Sequence, residues 1–144
     1  LKLNFGAPPF QRQTDGTIHK TDVILTLRDL NKADHEPEED LQLLRNVIGA
    51  YHEIFQQNPV AGENWEVVDA LSGKNPHKLV FLDPAHPALN ARRELLDRWG
   101  TPYRFHPLSG SHMEFSSAGA DGTFGTKDDL HLEEPTRVKP EDGT

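Results

Sequence analysis

The chain has 144 residues, a formal net charge of −8 and no cysteine. A single domain of that length buries roughly 68–70% of the surface its unfolded chain exposes, so a core forms without staples. Disulfides, zinc–thiolate centres and cysteine nucleophiles are excluded. Non-specific nucleic-acid binding needs a basic footprint, and the longest basic cluster here is Arg92-Arg93.

The longest clean apolar run, Leu79-Val80-Phe81-Leu82, is far shorter than the ~18 residues that mark a membrane span. The sequence starts at Leu1 rather than Met, which leads us to expect that a leader or membrane anchor has been removed.

Residues 1–36 carry Gly6, Pro8, Pro9 and Gly16 among scattered apolar residues. They read as an irregular arm with a short helix near TDVILTLRDL, capped by Thr21 or Asp22. Pro37 followed by Glu38, Glu39 and Asp40 is a helix-start signal, with proline in the first turn and acids toward the positive end of the dipole. Leu41, Leu44, Ile48, Tyr51 and Phe55 then recur at three- and four-residue steps, which predicts a helix over 38–57, buried on one side and ended by Asn58-Pro59. The preceding run DHEPEED reads as a solvated lead into it.

A second helix is expected over 63–73, with Asn64 as cap and Gly73 as stop. Proline and glycine then punctuate the chain from Pro76 to Pro102. Short strands fit LVFL, PYRFHPL (102–108), SHMEFSS (111–117) and DLHLE (129–133), with a hairpin turn at Leu108-Ser109-Gly110. In the hairpin, Tyr103 shares a face with Phe105, and Met113 with Phe115. The tail 134–144 has no periodicity and is expected to be disordered. Helices placed before strands argue for an α+β domain over 37–133.

The stretch SSAGADGTFGTKDDL (116–130) packs Asp121, Asp128 and Asp129 around three glycines. Two readings compete for it: a solvated turn, since Asp-Gly is ordinary turn chemistry, and an oxygen cage for a hard cation. Calcium takes six to eight oxygen ligands from carboxylates, carbonyls and water, and glycines let the backbone turn its carbonyls inward. The loop is not an EF-hand, because position 6 counted from Asp121 is Thr126 instead of glycine.

Trp99, Gly100, Pro102 and Tyr103, a hairpin, and then Ser117, Gly119, Ala120, Asp121 and Gly122 together resemble the C-terminal globular domain of type II secretion major pseudopilins, over about residues 95–132. The resemblance implies a pilin-like fold, with a principal helix packed on a small antiparallel meander. It implies a non-enzymatic structural role in a secretion or pilus-type apparatus, with other pilin-like or secretion-apparatus proteins as partners. It also implies a periplasmic or cell-envelope location, with membrane contact only through an N-terminal anchor. By the same resemblance calcium would be held by Asp121 and Asp128, with Asp129 and the Ala118 backbone carbonyl as further donors. The sequence departs from the family pattern at Arg98, where the family usually has proline, and in the prolines preceding residue 38. The second departure favours an alternative, a periplasmic or surface-anchored pilin-fold binding module that is not built into a filament.

Other constellations carry less. His52-Glu53 lacks the second histidine of a zinc-protease helix. His106, His112 and His131 would hold zinc if the strands brought them together. Trp65 and Trp99 could stack on a sugar, but the simpler reading of each is a core or domain-face aromatic.

Overall fold

The computed structural model describes residues 10–59, 63–109 and 112–133. The start of the arm, the turn glycine Gly110 and the tail 134–144 lie outside them. The element order is β1 (Phe10–Arg12), β2 (Ile18–Lys20), α1 (Thr21–Leu27), α2 (Pro37–Phe55), α3 (Asn64–Leu71), β3 (Leu79–Val80), β4 (Arg104–Ser109), β5 (His112–Ser117) and β6 (Leu130–Glu133). Three helices combine with two small three-stranded sheets that are mostly antiparallel.

Residues 10–36 of the arm are more ordered than their composition suggests. Asp15 Oδ1 accepts the Thr17 N–H at 2.9 Å and the Thr17 hydroxyl at 2.6 Å. Gly16, at φ +92°, completes a turn that needs a left-handed residue. The turn joins β1 to β2, and β2 then pairs in parallel with β3, Ile18 opposite Leu79. The expected LVFL strand is only two residues long, because the Phe81 and Leu82 N–H groups turn away to the Leu71 carbonyl. Neither Thr21 nor Asp22 caps α1; the cap is Lys20, with no side-chain bond.

Helix α2 starts as expected, with Pro37 in its first turn. It ends at Phe55, two residues early, because Gln56 takes the left-handed conformation (φ 63°) and returns its N–H to His52. Leu41, Leu44, Val47, Ile48 and Tyr51 are buried along its inner stripe and meet Phe81, Met113 and Phe115 in one cluster. Each such side chain contributes about 1.5–3 kcal/mol by leaving water. The helix packs on α1 and on β5 and β6. No helix among the described residues is long and apolar enough to cross a membrane.

Asn64 does not cap α3. The cap is Glu63, in a reciprocal capping box with Glu66. Asn64 is instead the first helical residue, and its amide clamps two other segments. It donates to the carbonyls of Leu95 and Tyr103 at 3.1 and 2.7 Å and accepts the Leu95 N–H at 2.7 Å. Strands β4, β5 and β6 form the expected meander, with Phe105 opposite Phe115 and Phe115 opposite Leu132. Pro107 lacks an N–H and sits in β4, an edge strand where that loss is tolerated.

Asp40 departs most from its expected place in a solvated helix start, at 1% exposure. Arg98 reaches its Oδ2 through Nε (2.9 Å) and Nη2 (2.7 Å). The Asn31 N–H (2.8 Å) and His35 Nε2 (2.7 Å) meet its Oδ1. Arg98 Nη2 also donates to the Lys32 carbonyl at 3.1 Å. A carboxylate this dry is tolerable because two arginine donors meet one oxygen while Asn31 and His35 meet the other. Arg98→Met is expected to lower unfolding free energy by about 3–5 kcal/mol by leaving Asp40 buried without its cation. Urea denaturation checks this, and a loss under about 1 kcal/mol would show that the pair stabilises little.

Candidate functional site

The two halves of the sequence motif meet in space. Asp97 organises the Trp99-Gly100-Thr101-Pro102 turn, its Oδ1 accepting the N–H groups of Trp99 (3.0 Å) and Thr101 (2.9 Å). Gly100 completes that turn at φ +92°. The Ser117 hydroxyl donates to the other Asp97 oxygen at 2.7 Å and accepts the Gly119 N–H at 3.2 Å. Asp97 and Ser117 are 4% and 3% exposed, so this bond is shielded from water. The glycine-rich loop therefore grows out of the turn that opens the meander. Sequence reasoning missed Asp97; its signal is an aspartate two residues before Trp-Gly, the spacing of an Asx turn.

The loop closes tightly on itself. Gly119 sits at φ +80°, and a Cβ there would run into the Asp128 carbonyl, so only glycine fits. Asp128 Oδ2 accepts the Asp121 N–H at 3.1 Å. Asp121 Oδ1 accepts the Thr123 N–H at 3.0 Å. Asp129 accepts the Gly125 N–H at 2.8 Å and the Thr126 N–H at 3.4 Å. The Thr126 hydroxyl, and after it the Thr123 N–H, hold the Asp121 carboxyl below its ordinary value, which favours its charged form. Ala118 is fully buried at the root of the loop.

This donor set suits a hard cation by its chemistry, since it supplies three carboxylates and glycine carbonyls. Each carboxylate bonds loop N–H groups, and no group of three or more His, Asp or Glu side chains is gathered for a metal among the described residues.

The three histidines stay apart. His106 lies opposite Glu114, His112 opposite Ser109 and His131 opposite Ser116, so His106 and His112 do not face each other. Ser116 Oγ is 2.9 Å from His131 Nδ1, and Glu114 Oε2 is 3.7 Å from the same nitrogen. A serine relay needs its hydroxyl and its carboxylate on opposite ring nitrogens, so this trio is not one.

A groove lies beside β4, with a volume of about 420 Å³. Glu63, Glu94, Arg104 and Phe124 are among its lining residues, with the Arg104 guanidinium 3.8 Å from the Phe124 ring centroid. That contact spreads the loop tip across the start of β4.

His35 is tied to the frame through Asp40. Its bond to Asp40, first among the causes, raises its pKa above 6.5. Burial opposes the shift, Asp40 and Glu39 assist it, and Arg98 opposes it. Asp34 also lies 3.4 Å from Nδ1. Because the folded pKa is raised, the contribution to stability is complete below the unfolded value and lost as pH rises through the folded one. Native chain minus His35→Gln stability is thus expected to be level on the acid side of 6.5 and to shrink above it. Denaturant melts across pH 5–9, roughly the span in which histidine titrates, check this; a difference that grows with pH would contradict it.

No protein-family model matches the chain, and neither does any curated protein or solved structure.

Proposed function

We propose that this chain is a pseudopilin-like, non-enzymatic domain of the bacterial envelope, with a structural role in a secretion or pilus-type apparatus. The observation that carries the reading is the bond between Asp97 and Ser117. It joins the Trp-Gly-x-Pro-Tyr turn to the Ser-x-Gly-Ala-Asp-Gly loop, whose combination in the sequence resembles the major pseudopilins. The packing of α2 on β5 and β6 supports a pilin-like arrangement. The domain would sit on the periplasmic side, held through an N-terminal anchor, with other pilin-like or secretion-apparatus proteins as partners.

In this reading calcium steadies the loop. Asp121 and Asp128 would turn from loop N–H groups to the ion, with Asp129 and the Ala118 carbonyl as further donors. A ligand at a hundredfold excess over its dissociation constant adds about 2.7 kcal/mol, a rise of roughly 5–10 °C in melting temperature for a chain of this size. Melting with calcium, with magnesium and with chelator, at matched ionic strength, tests it. The rise should appear with calcium alone and vanish in Asp121→Asn and Asp128→Asn; coincident curves would remove calcium from the proposal.

A second reading, a surface-anchored or periplasmic binding module on the same fold, is favoured by how α2 begins. Pro37 stands at its first turn, and Asp40 ties that turn to Arg98 and the 31–35 loop. A helix so started is a poor direct continuation of an anchor helix. The chain has no cysteine, so a cysteine placed at Leu108, which is 47% exposed, is unique. Cross-linking it in native envelopes should yield multi-subunit ladders for an apparatus component, and single adducts for a binding module.

A further inference from the structure

We infer that the cavity beside Trp65 is a binding site for a neutral carbohydrate. The cavity, about 380 Å³, lies between the end of α2, the outer face of α3 and the turn after α3. That volume is within the usual range of small-molecule sites and admits a sugar ring. Trp65, Gln57, Glu66, Asp69 and Lys74 are among its walls.

Helix α3 turns Val67, Val68 and Leu71 inward to 1–2% exposure and leaves the Trp65 indole 40% exposed at the cavity. An indole so placed forgoes burial worth more than that of either valine. It is also held in position. The Arg93 guanidinium lies 5.9 Å from its ring and is clamped in turn to Asp69, Nε to Oδ1 at 2.9 Å and Nη2 to Oδ2 at 3.2 Å. Lys74 Nζ adds a contact to Asp69 at 3.5 Å. The aromatic surface is thus braced by a charge network before any ligand arrives, which lowers the ordering cost of binding.

The charges identify the ligand class. The walls carry two carboxylates, Glu66 and Asp69, and one cation, Lys74; Asp69 is committed both to Lys74 and to Arg93, which lies outside the lining, so the four charges together cancel. A site whose charges cancel once Arg93 is counted gives neither a phosphate nor a quaternary amine a net attraction. It suits a neutral molecule with one apolar face and a rim of hydroxyls. A pyranose ring fits that description: its C–H face lies on the indole, and its hydroxyls meet the Gln57 amide and the Lys74 ammonium group. The inference is independent of the pilin-like reading and of calcium, because none of these residues belongs to the 117–129 loop.

The chain has two tryptophans, so two indole N–H signals report on it in proton–nitrogen spectra. The full chain is titrated in turn with maltotriose, cellotriose, chitotriose and mannotriose to about 10 mM, a range that captures a dissociation constant near ~1 mM. At least one sugar should shift the Trp65 signal and leave that of Trp99 in place. Trp65→Ala should weaken that binding at least about tenfold, Trp65→Phe should keep part of it, and Trp99→Ala all of it. Failure of all four sugars to move the Trp65 signal overturns the inference, as does undiminished binding by Trp65→Ala. A shift produced by choline or inorganic phosphate and by no sugar also overturns it, since the site would then select charge.

Discussion

The buried pair between Asp40 and Arg98 sets the geometry on which the rest of the molecule depends. Its carboxylate comes from the first turn of α2 and its guanidinium from the segment that leads into the meander. Asn31 and His35 on the same carboxylate fix the loop between α1 and α2. Asn31 also accepts the Tyr103 hydroxyl at 2.8 Å and donates to the Leu96 carbonyl at 2.8 Å. The α1–α2 loop and the first turn of α2 are therefore locked at one point to the distant 96–103 segment. Tyr103 is 2% exposed, and its hydroxyl is pushed far above its ordinary pKa, chiefly by burial and then by the nearby carboxylates. It therefore stays neutral and able to donate. Oriented bonds of this kind complement the hydrophobic cluster, which supplies most of the driving force but little direction.

From that point the frame extends to the loop through one residue. Arg98 is followed by Trp99 and preceded by Asp97, so the residue next to the ion pair holds both the turn and Ser117. In the pseudopilin-like reading proposed above, the family pattern usually has proline where Arg98 stands. The arginine here connects the meander to α2 electrostatically, a task that a proline ring cannot perform.

Much of this was legible in the residues. The spacing of Leu41, Leu44, Ile48 and Tyr51 announced α2, and the alternation around Phe105 and Phe115 announced the meander, because periodic burial leaves a periodic trace. The β1–β2 hairpin was not legible: its strands are three residues each, too short for alternation to register, and β2 pairs with a strand far along the chain. Asp40 was misplaced for a related reason. An acid in a first turn satisfies the dipole rule whether it is wet or dry, and only the distant Arg98 decides which. Asn64 looked like a cap because caps and clamps use the same amide; the helix supplied its own capping box one residue earlier. At the loop the sequence indicated the donor types, and the fold determines where each carboxylate points.

The parallel pairing of β2 with β3 has a consequence for how the chain comes into being. Ile18 and Leu79 are register partners, and all three helices lie between them in sequence. On a ribosome adding about 5–20 residues per second, the first strands wait roughly 3–12 s for their partner to be made. Through that interval the outer edge of β2 is open to other chains, and contacts spanning so much sequence are slow to close. The polar character of this ribbon, in which Lys20, His19, Gln11 and Arg12 outnumber apolar residues, is therefore also a safeguard during synthesis. A charged, short edge can wait in solution without recruiting a stranger.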